Sequence, residues 1–162
     1  MKTVIIALNE IGNKIATRFE LINRGGCCVY AALIASHLSS LVPLRIKVVG
    51  ETDNEPIDKI RKLVTMNTPR EWNKKGLEFH HVIIEFDFEQ NTYHYDTLGV
   101  KLASKSGWRL IPGSLTCDEA TELASHRQGW NTAFDRDDIS GITEIINDFF
   151  AKNKLPSSLK GV

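Results

Sequence analysis

The sequence predicts an α+β domain in which N-terminal helices pack on a small antiparallel sheet and helices follow again at the C-terminus. Three observations carry this expectation. Val4, Leu8, Ile11, Ile15 and Phe19 recur at spacings of three and four, the apolar stripe of one helical face. Leu44–Val49, His81–Asp87 and Tyr93–Asp96 read as strands, bounded by turn-forming residues. Ile142, Ile145, Ile146, Phe149 and Phe150 make a second helical stripe.

The elements follow in order. The first helix carries Gly12, which costs it roughly 1 kcal/mol against Ala, and Asn23-Arg24-Gly25-Gly26 breaks it. Cys28-Val29-Tyr30-Ala31-Ala32-Leu33-Ile34-Ala35 is apolar on all sides and too Ala-rich for a strand, so a helix buried all round is expected. Ser39 and Ser40 lead out of it towards Pro43. After the Leu44–Val49 strand, Pro56 with Ile57, Ile60, Leu63 and Val64 predicts a short amphipathic helix. A loop from Asn67 to Gly76, holding Trp72, follows. The strand from His81 pairs with Tyr93–Asp96 across a Glu89-Gln90-Asn91 turn, and Leu98–Gly113 holds one more short strand near Trp108. Thr116-Cys117-Asp118-Glu119 fits a capping box, with the Glu three residues after the cap. Asp137 and Asp138 at the start of the last helix, and Lys152 and Lys154 at its end, suit its dipole.

Composition bounds the function. At 162 residues the chain fits one domain spanning 1–162, since domains commonly run to roughly 100–200 residues. The 20 basic residues balance 20 acidic ones, so no bulk charge draws the chain to nucleic acid or to an acidic membrane. No apolar stretch approaches the roughly 20 residues of a membrane helix. The apolar start, Val4–Leu8, stops at Asn9 and Glu10, short of a signal-peptide core of roughly 7–15 residues. Three cysteines, two of them adjacent, make a poor disulfide framework and no CxxC zinc pair. A cytoplasmic protein with free thiols, no cofactor and no metal is expected. His80, His81 and Cys28 match no standard zinc spacing.

The chemistry concentrates around one thiol. A helix N-terminus favours thiolate, because its unpaired N–H groups and dipole stabilise negative charge. Gly25-Gly26 before the buried helix supplies such a turn and leaves Cys28 in the first helical turn, with Cys27 pointing elsewhere. Backbone N–H groups of that turn, at Gly26 and Cys27, are candidate oxyanion donors. Asn23 is a further candidate donor, against a loop-capping role, and Arg24 either closes the loop or meets an acidic substrate group. A thiolate needs a base, and the base an orienting acceptor. His81 opens a strand and Asp96 ends its hairpin partner. Direct opposition of the two would centre the loop between Phe88 and Glu89, so the turn residues point to a bulge or a diagonal contact. Alternation places His81, Ile83 and Glu85 on one face; Glu85 is a second carboxylate there or a solvent-facing residue. The bland alternative makes His80, His81 and His94 edge-strand polar residues and Cys27 and Cys28 inert buried thiols. Cys117 reads as structural, and Trp72, Trp108 and Trp130 as cleft-rim or core residues.

Asn23-Arg24-Gly25-Gly26-Cys27-Cys28 resembles the Arg-Gly-Gly-x-Cys motif of arylamine N-acetyltransferases, with Cys28 at the nucleophile position. In that family a His opens a strand and an Asp follows fifteen residues later, the spacing of His81 and Asp96. The wider superfamily of transglutaminase-like and papain-like enzymes shares the Cys, His, Asp/Asn order, and His81-Val82-Ile83-Ile84-Glu85 is similar to the His-x-x-x-Glu strand of transglutaminase-like domains. The resemblance spans roughly residues 22–99. Thr97-Leu98-Gly99 stands where the acetyltransferases have Ala-Gly-Phe-Gly, and the chain is too short for their third domain, so its size resembles compact transglutaminase-like proteins of bacteria and phages.

The resemblance implies a papain-like/transglutaminase-like core and a Cys28-His81-Asp96 triad acting through an acyl-enzyme on a peptide, protein or small amide. Peptidase, deamidase and transferase activities all fit. Two alternatives stand beside it: a non-catalytic interaction or host-modulating protein on the same fold, and an acetyl-CoA-dependent N-acetyltransferase-like enzyme.

Overall fold

A computed structural model describes residues 4–20, 22, 26–50, 57–58, 61, 79–128 and 136–153. The expected loop with Trp72, most of the helix expected after Pro56, Trp130 and Lys154 lie outside these residues. The architecture is mixed α+β, with a four-stranded antiparallel sheet in the order β1-β2-β3-β4.

Helix α1 (Val4–Arg18) buries Val4, Leu8, Ile11 and Ile15, the stripe read from the sequence. Its Gly12 has a packing reason: a Cβ there would lie 3.2 Å from both the Tyr95 hydroxyl and the Thr97 carbonyl. The helix therefore presses directly on the end of β3. Helix α2 (Cys27–Leu38) is buried along nearly its whole length. It runs through the middle of the molecule, against β1 and β2 on one side and two later helices on the other. This is why its sequence shows no polar face.

Strand β1 (Leu44–Gly50) pairs with β2 (Phe79–Phe88), which pairs with β3 (Asn91–Asp96), and β3 with β4 (Gly99–Leu102). The β2–β3 turn is shorter than expected. Phe88 already pairs with Asn91, leaving Glu89 and Gln90 as the two turn residues, at φ 46° and 64°. Two positive φ values match the primed turns that fit the twist of a hairpin. Val82, Ile84, Phe86 and Tyr95 face the core, while Arg45, Glu85, Asp87 and His94 form a polar array on the other face.

The extra strand after the hairpin is β4, earlier than expected. Near Trp108 there is instead a short helix, α3 (Ala103–Ser106), and then an extended crossing. Leu110 and Leu115 bridge to Val49 and Ile46, and the Ile111 N–H donates to the Val48 carbonyl at 2.8 Å. The chain thus leaves the β4 edge, crosses the polar face and covers the free edge of β1. Open edges invite further strand pairing, and this return closes one of them. The crossing also lays Ser106 and Trp108 over the sheet.

Helix α4 (Cys117–Gln128) opens with the expected capping box: Glu119 N–H donates to Thr116 Oγ1 at 3.1 Å and Thr116 N–H to Glu119 Oε2 at 2.8 Å. Helix α5 (Arg136–Lys152) buries Ile142 and Ile146 against the core. Residues 57, 58 and 61 are helical, and Arg61 Nε donates to Glu119 Oε1 at 2.7 Å, docking that segment on the start of α4. No helix is long and apolar enough to cross a membrane among the described residues.

Candidate active site

The site forms where the N-terminus of α2 meets the end of the β2–β3 hairpin. Gly26 is the N-cap of α2, with φ −86° and ψ −5°. Its N–H donates to Ile22 O at 2.9 Å and its carbonyl accepts from Tyr30 N–H at 2.9 Å. Gly26 therefore cannot offer its N–H to an oxyanion, contrary to the sequence expectation. The helix begins at Cys27, one residue earlier than the sequence suggested. Successive helical side chains lie about 100° apart, so the two adjacent thiols point in different directions and the docking of α2 selects the one that faces the strand.

His81 meets Cys27. The structure turns Cys28, the expected nucleophile position, fully into the core, where its thiol hydrogen-bonds Cys27. Cys27, expected to point away, is the sulfur held by the His81 ring and by the backbone N–H of Val82. His81 Nε2 donates to Asp96 Oδ2 at 2.9 Å, and Asp96 Oδ1 accepts the Leu98 N–H at 2.8 Å. The β2–β3 register places Asp96 level with Ile83, two residues from His81. The contact is thus diagonal, one of the two geometries that the turn residues implied. Diagonal neighbours lie roughly 7–8 Å apart at Cα, within reach of an imidazole.

All three groups are buried: Cys27 is 4 % exposed, Asp96 6 % and His81 7 %. Trp108, carried in by the crossing after α3, lies against His81 with ring centroids 5.5 Å apart. The sequence offered no means of assigning Trp108 to this ring, because the contact depends on the path of an irregular segment.

The electrostatics follow from this packing. The Cys28 hydrogen bond does most to lower the Cys27 thiol; burial opposes it, and the His81 hydrogen bond, the His81 charge and the Val82 N–H add to the lowering. The balance holds Cys27 well below the ordinary thiol value of 9.0. Burial alone would depress His81, but hydrogen bonds and charge from Asp96 and Cys27 outweigh it and raise the imidazole to about 9. Both directions favour the thiolate–imidazolium form of the pair over the neutral one. Cys117 behaves oppositely, since partial burial and the Asp118 charge push its thiol up.

Asn23 and Arg24 lie outside the described residues. Glu85 shares the His81 face of the strand as expected, but its carboxylate is engaged by Arg45 and His94. Among the described residues no three His, Cys, Asp or Glu side chains converge as a metal-ligand set. Compared with known proteins, the chain has no significant match to a family model, to a curated protein or to a solved structure.

Proposed function

We propose that the chain is a thiol-dependent acyl-transfer enzyme, of the peptidase, deamidase or transglutaminase-like kind, with Cys27 as nucleophile. The observation that carries this reading is the position of His81, held by Asp96 through Nε2 and in contact with the Cys27 sulfur. A thiol at a helix start, a histidine on one strand and an aspartate on the next are also what a papain-like/transglutaminase-like core would contain. With Nε2 engaged by Asp96, Nδ1 is the ring atom left to serve the sulfur.

The chemistry runs as follows. The Cys27 thiolate attacks the carbonyl carbon of a peptide, protein or small amide. The C–N bond breaks, and the Nδ1 proton of His81 passes to the departing amine. Water or a second amine, giving its proton back to Nδ1, then displaces the sulfur from the thioester. Asp96 keeps the ring oriented and stabilises its charged form. The backbone N–H of Cys27, at the first position of α2, is the donor for the oxyanion. Trp108 shields the imidazole from water, which strengthens the electrostatics.

The test is acyl trapping. Incubation with a simple alkyl thioester should add one acyl group to Cys27, and Cys27→Ser should remove it. His81→Ala should slow acylation by roughly 10²–10⁴-fold. Acylation of Cys28 or Cys117 instead, or none at all, would overturn the proposal. A preference for acetyl-CoA over the alkyl thioester would identify the acetyltransferase-like variant. A second reading, a non-catalytic interaction protein on this fold, is favoured by the 4 % exposure of Cys27 and predicts no acylation.

A further inference from the structure

A second histidine of the same hairpin carries its own relay. His94 is 5 % exposed. Its Nδ1 lies 2.6 Å from Ser106 Oγ and its Nε2 lies 3.1 Å from Glu85 Oε2. The other Glu85 oxygen accepts from Arg45 Nε at 2.7 Å, which keeps the carboxylate ionised and in place. An ionised carboxylate requires the proton on Nε2, so neutral His94 presents a bare Nδ1 to the serine. The competing acceptor of the Ser106 hydroxyl, the Ala103 carbonyl, is farther away at 3.1 Å. Ser106 is only half-buried, and the next residue, Gly107, is exposed in the left-handed region at φ 71°. Outside its two chain neighbours, a Cβ at Gly107 would meet no heavy atom within 4 Å, so open space adjoins the residue that follows Ser106.

We propose that Ser106 is a second nucleophile, with His94 as its base and Glu85 as the positioning carboxylate, and that it accepts acyl groups from small activated esters. Nucleophile, base and orienting group within hydrogen-bond reach are the arrangement that makes a serine reactive. The Oγ–carbon bond forms as the hydroxyl proton moves to His94 Nδ1. The ester C–O bond then breaks, and that proton leaves with the alcohol. Water, deprotonated by the same nitrogen, then attacks the acyl carbon, and the proton passes to Ser106 Oγ as the acyl–Oγ bond breaks. None of these steps uses Cys27.

A fluorophosphonate probe reads this directly, applied to the full chain after iodoacetamide has blocked its thiols. Peptide mapping should find the phosphonyl group on Ser106 and lose it in Ser106→Ala and His94→Ala. The labelling rate of Ser106 should be the same with and without the iodoacetamide block, which separates this proposal from the thiol reading. Glu85→Gln should slow labelling at least about tenfold in a chain whose urea midpoint is that of a folded protein, and Glu85→Asp should recover part of the rate, a rescue that a purely structural carboxylate would not give. Absence of label on Ser106 in the unmutated chain overturns the proposal without recourse to any variant. Equal labelling rates in the unmutated chain and a folded His94→Ala variant would overturn it as well.

Discussion

Two histidine–carboxylate pairs stand on one β-hairpin, and their surroundings make them different. His81 and Asp96 meet diagonally at the end of the hairpin that abuts α2. No guanidinium touches Asp96 among the described contacts; its other oxygen holds a backbone N–H. Its full charge therefore acts on the imidazole, and with the Cys27 sulfur it raises His81 to about 9. His94 and Glu85 sit directly opposite each other in the register, but Glu85 is shared with Arg45, whose side chain is 41 % exposed. There the ionic partner of the carboxylate is the arginine, and the lowered group is Glu85, which Arg45 and His94 bring down against its burial. The same residue types thus give a charged imidazole beside sulfur in one place and a tethered carboxylate behind a hydroxyl in the other.

The largest effect should come from removing each carboxylate. Asp96→Ala leaves a buried imidazolium without its partner and should cost about 3–5 kcal/mol in urea unfolding at pH 7. Glu85→Ala removes a group whose neighbours reach water through Arg45 and should cost about 1–3 kcal/mol. Equal losses would erase the distinction between the two pairs.

Next comes the pH dependence of stability. The folded value of His81 lies above its ordinary 6.5, so its contribution is fully present below 6.5 and is lost as pH rises through about 9. Cys27 is lowered, so its contribution is present above its ordinary 9.0 and is lost as pH falls through the folded value. Together they make stability rise from the lowered Cys27 value up to 6.5 and hold it level above that, because the His81 loss and the Cys27 gain cancel between 6.5 and about 9. Urea midpoints should therefore climb to about pH 6.5 and then stay flat, whereas His81→Gln, which removes the cancelling loss, should leave midpoints that keep rising towards about pH 9. A flat profile above about pH 6.5 in the variant as well would detach His81 from the pair.

Smaller effects probe the supports. Gly12→Ala places a Cβ 3.2 Å from Tyr95 and Thr97. Overpacking of this kind costs about 1–3 kcal/mol, against a helix-propensity gain of about 1 kcal/mol, so thermal melts should show a small net loss. Arg45→Ala should cost the least, about 0.5–1 kcal/mol, shrinking in 1 M salt where screening acts within about 3 Å. A larger, salt-independent loss would make Arg45 a buried-type partner.

Much of this was legible in the sequence where periodicity or spacing carried it. The stripes of α1 and α5, the all-apolar α2, the Thr116 capping box and the His81/Asp96 hairpin are local patterns, and the structure contains each. The thiol facing His81 was not legible. Cys27 and Cys28 are adjacent at the start of α2, their side chains about 100° apart, and which of them meets His81 depends on how the helix docks, which no local pattern encodes. Nor was the contribution of Ser106 and Trp108, because both reach the sheet on a crossing that no periodic pattern encodes. The strand expected near Trp108 was displaced for the same reason: β4 continues the hairpin, and the later residues serve as a cover for the β1 edge.

The central claim is that Cys27 is a thiolate held by His81, and the pH profile of its alkylation tests it most directly. The profile is a better readout than the rate, because thiolate nucleophilicity falls as pKa falls. Iodoacetamide labelling of Cys27, followed by peptide mass from pH 4 to 10, should rise with a midpoint well below that of an ordinary thiol at about 8.5. In His81→Gln the midpoint should move up by about 1–3 pH units, while Cys117 keeps its own. A Cys27 midpoint at or above 8.5, unmoved by His81→Gln, would contradict the account.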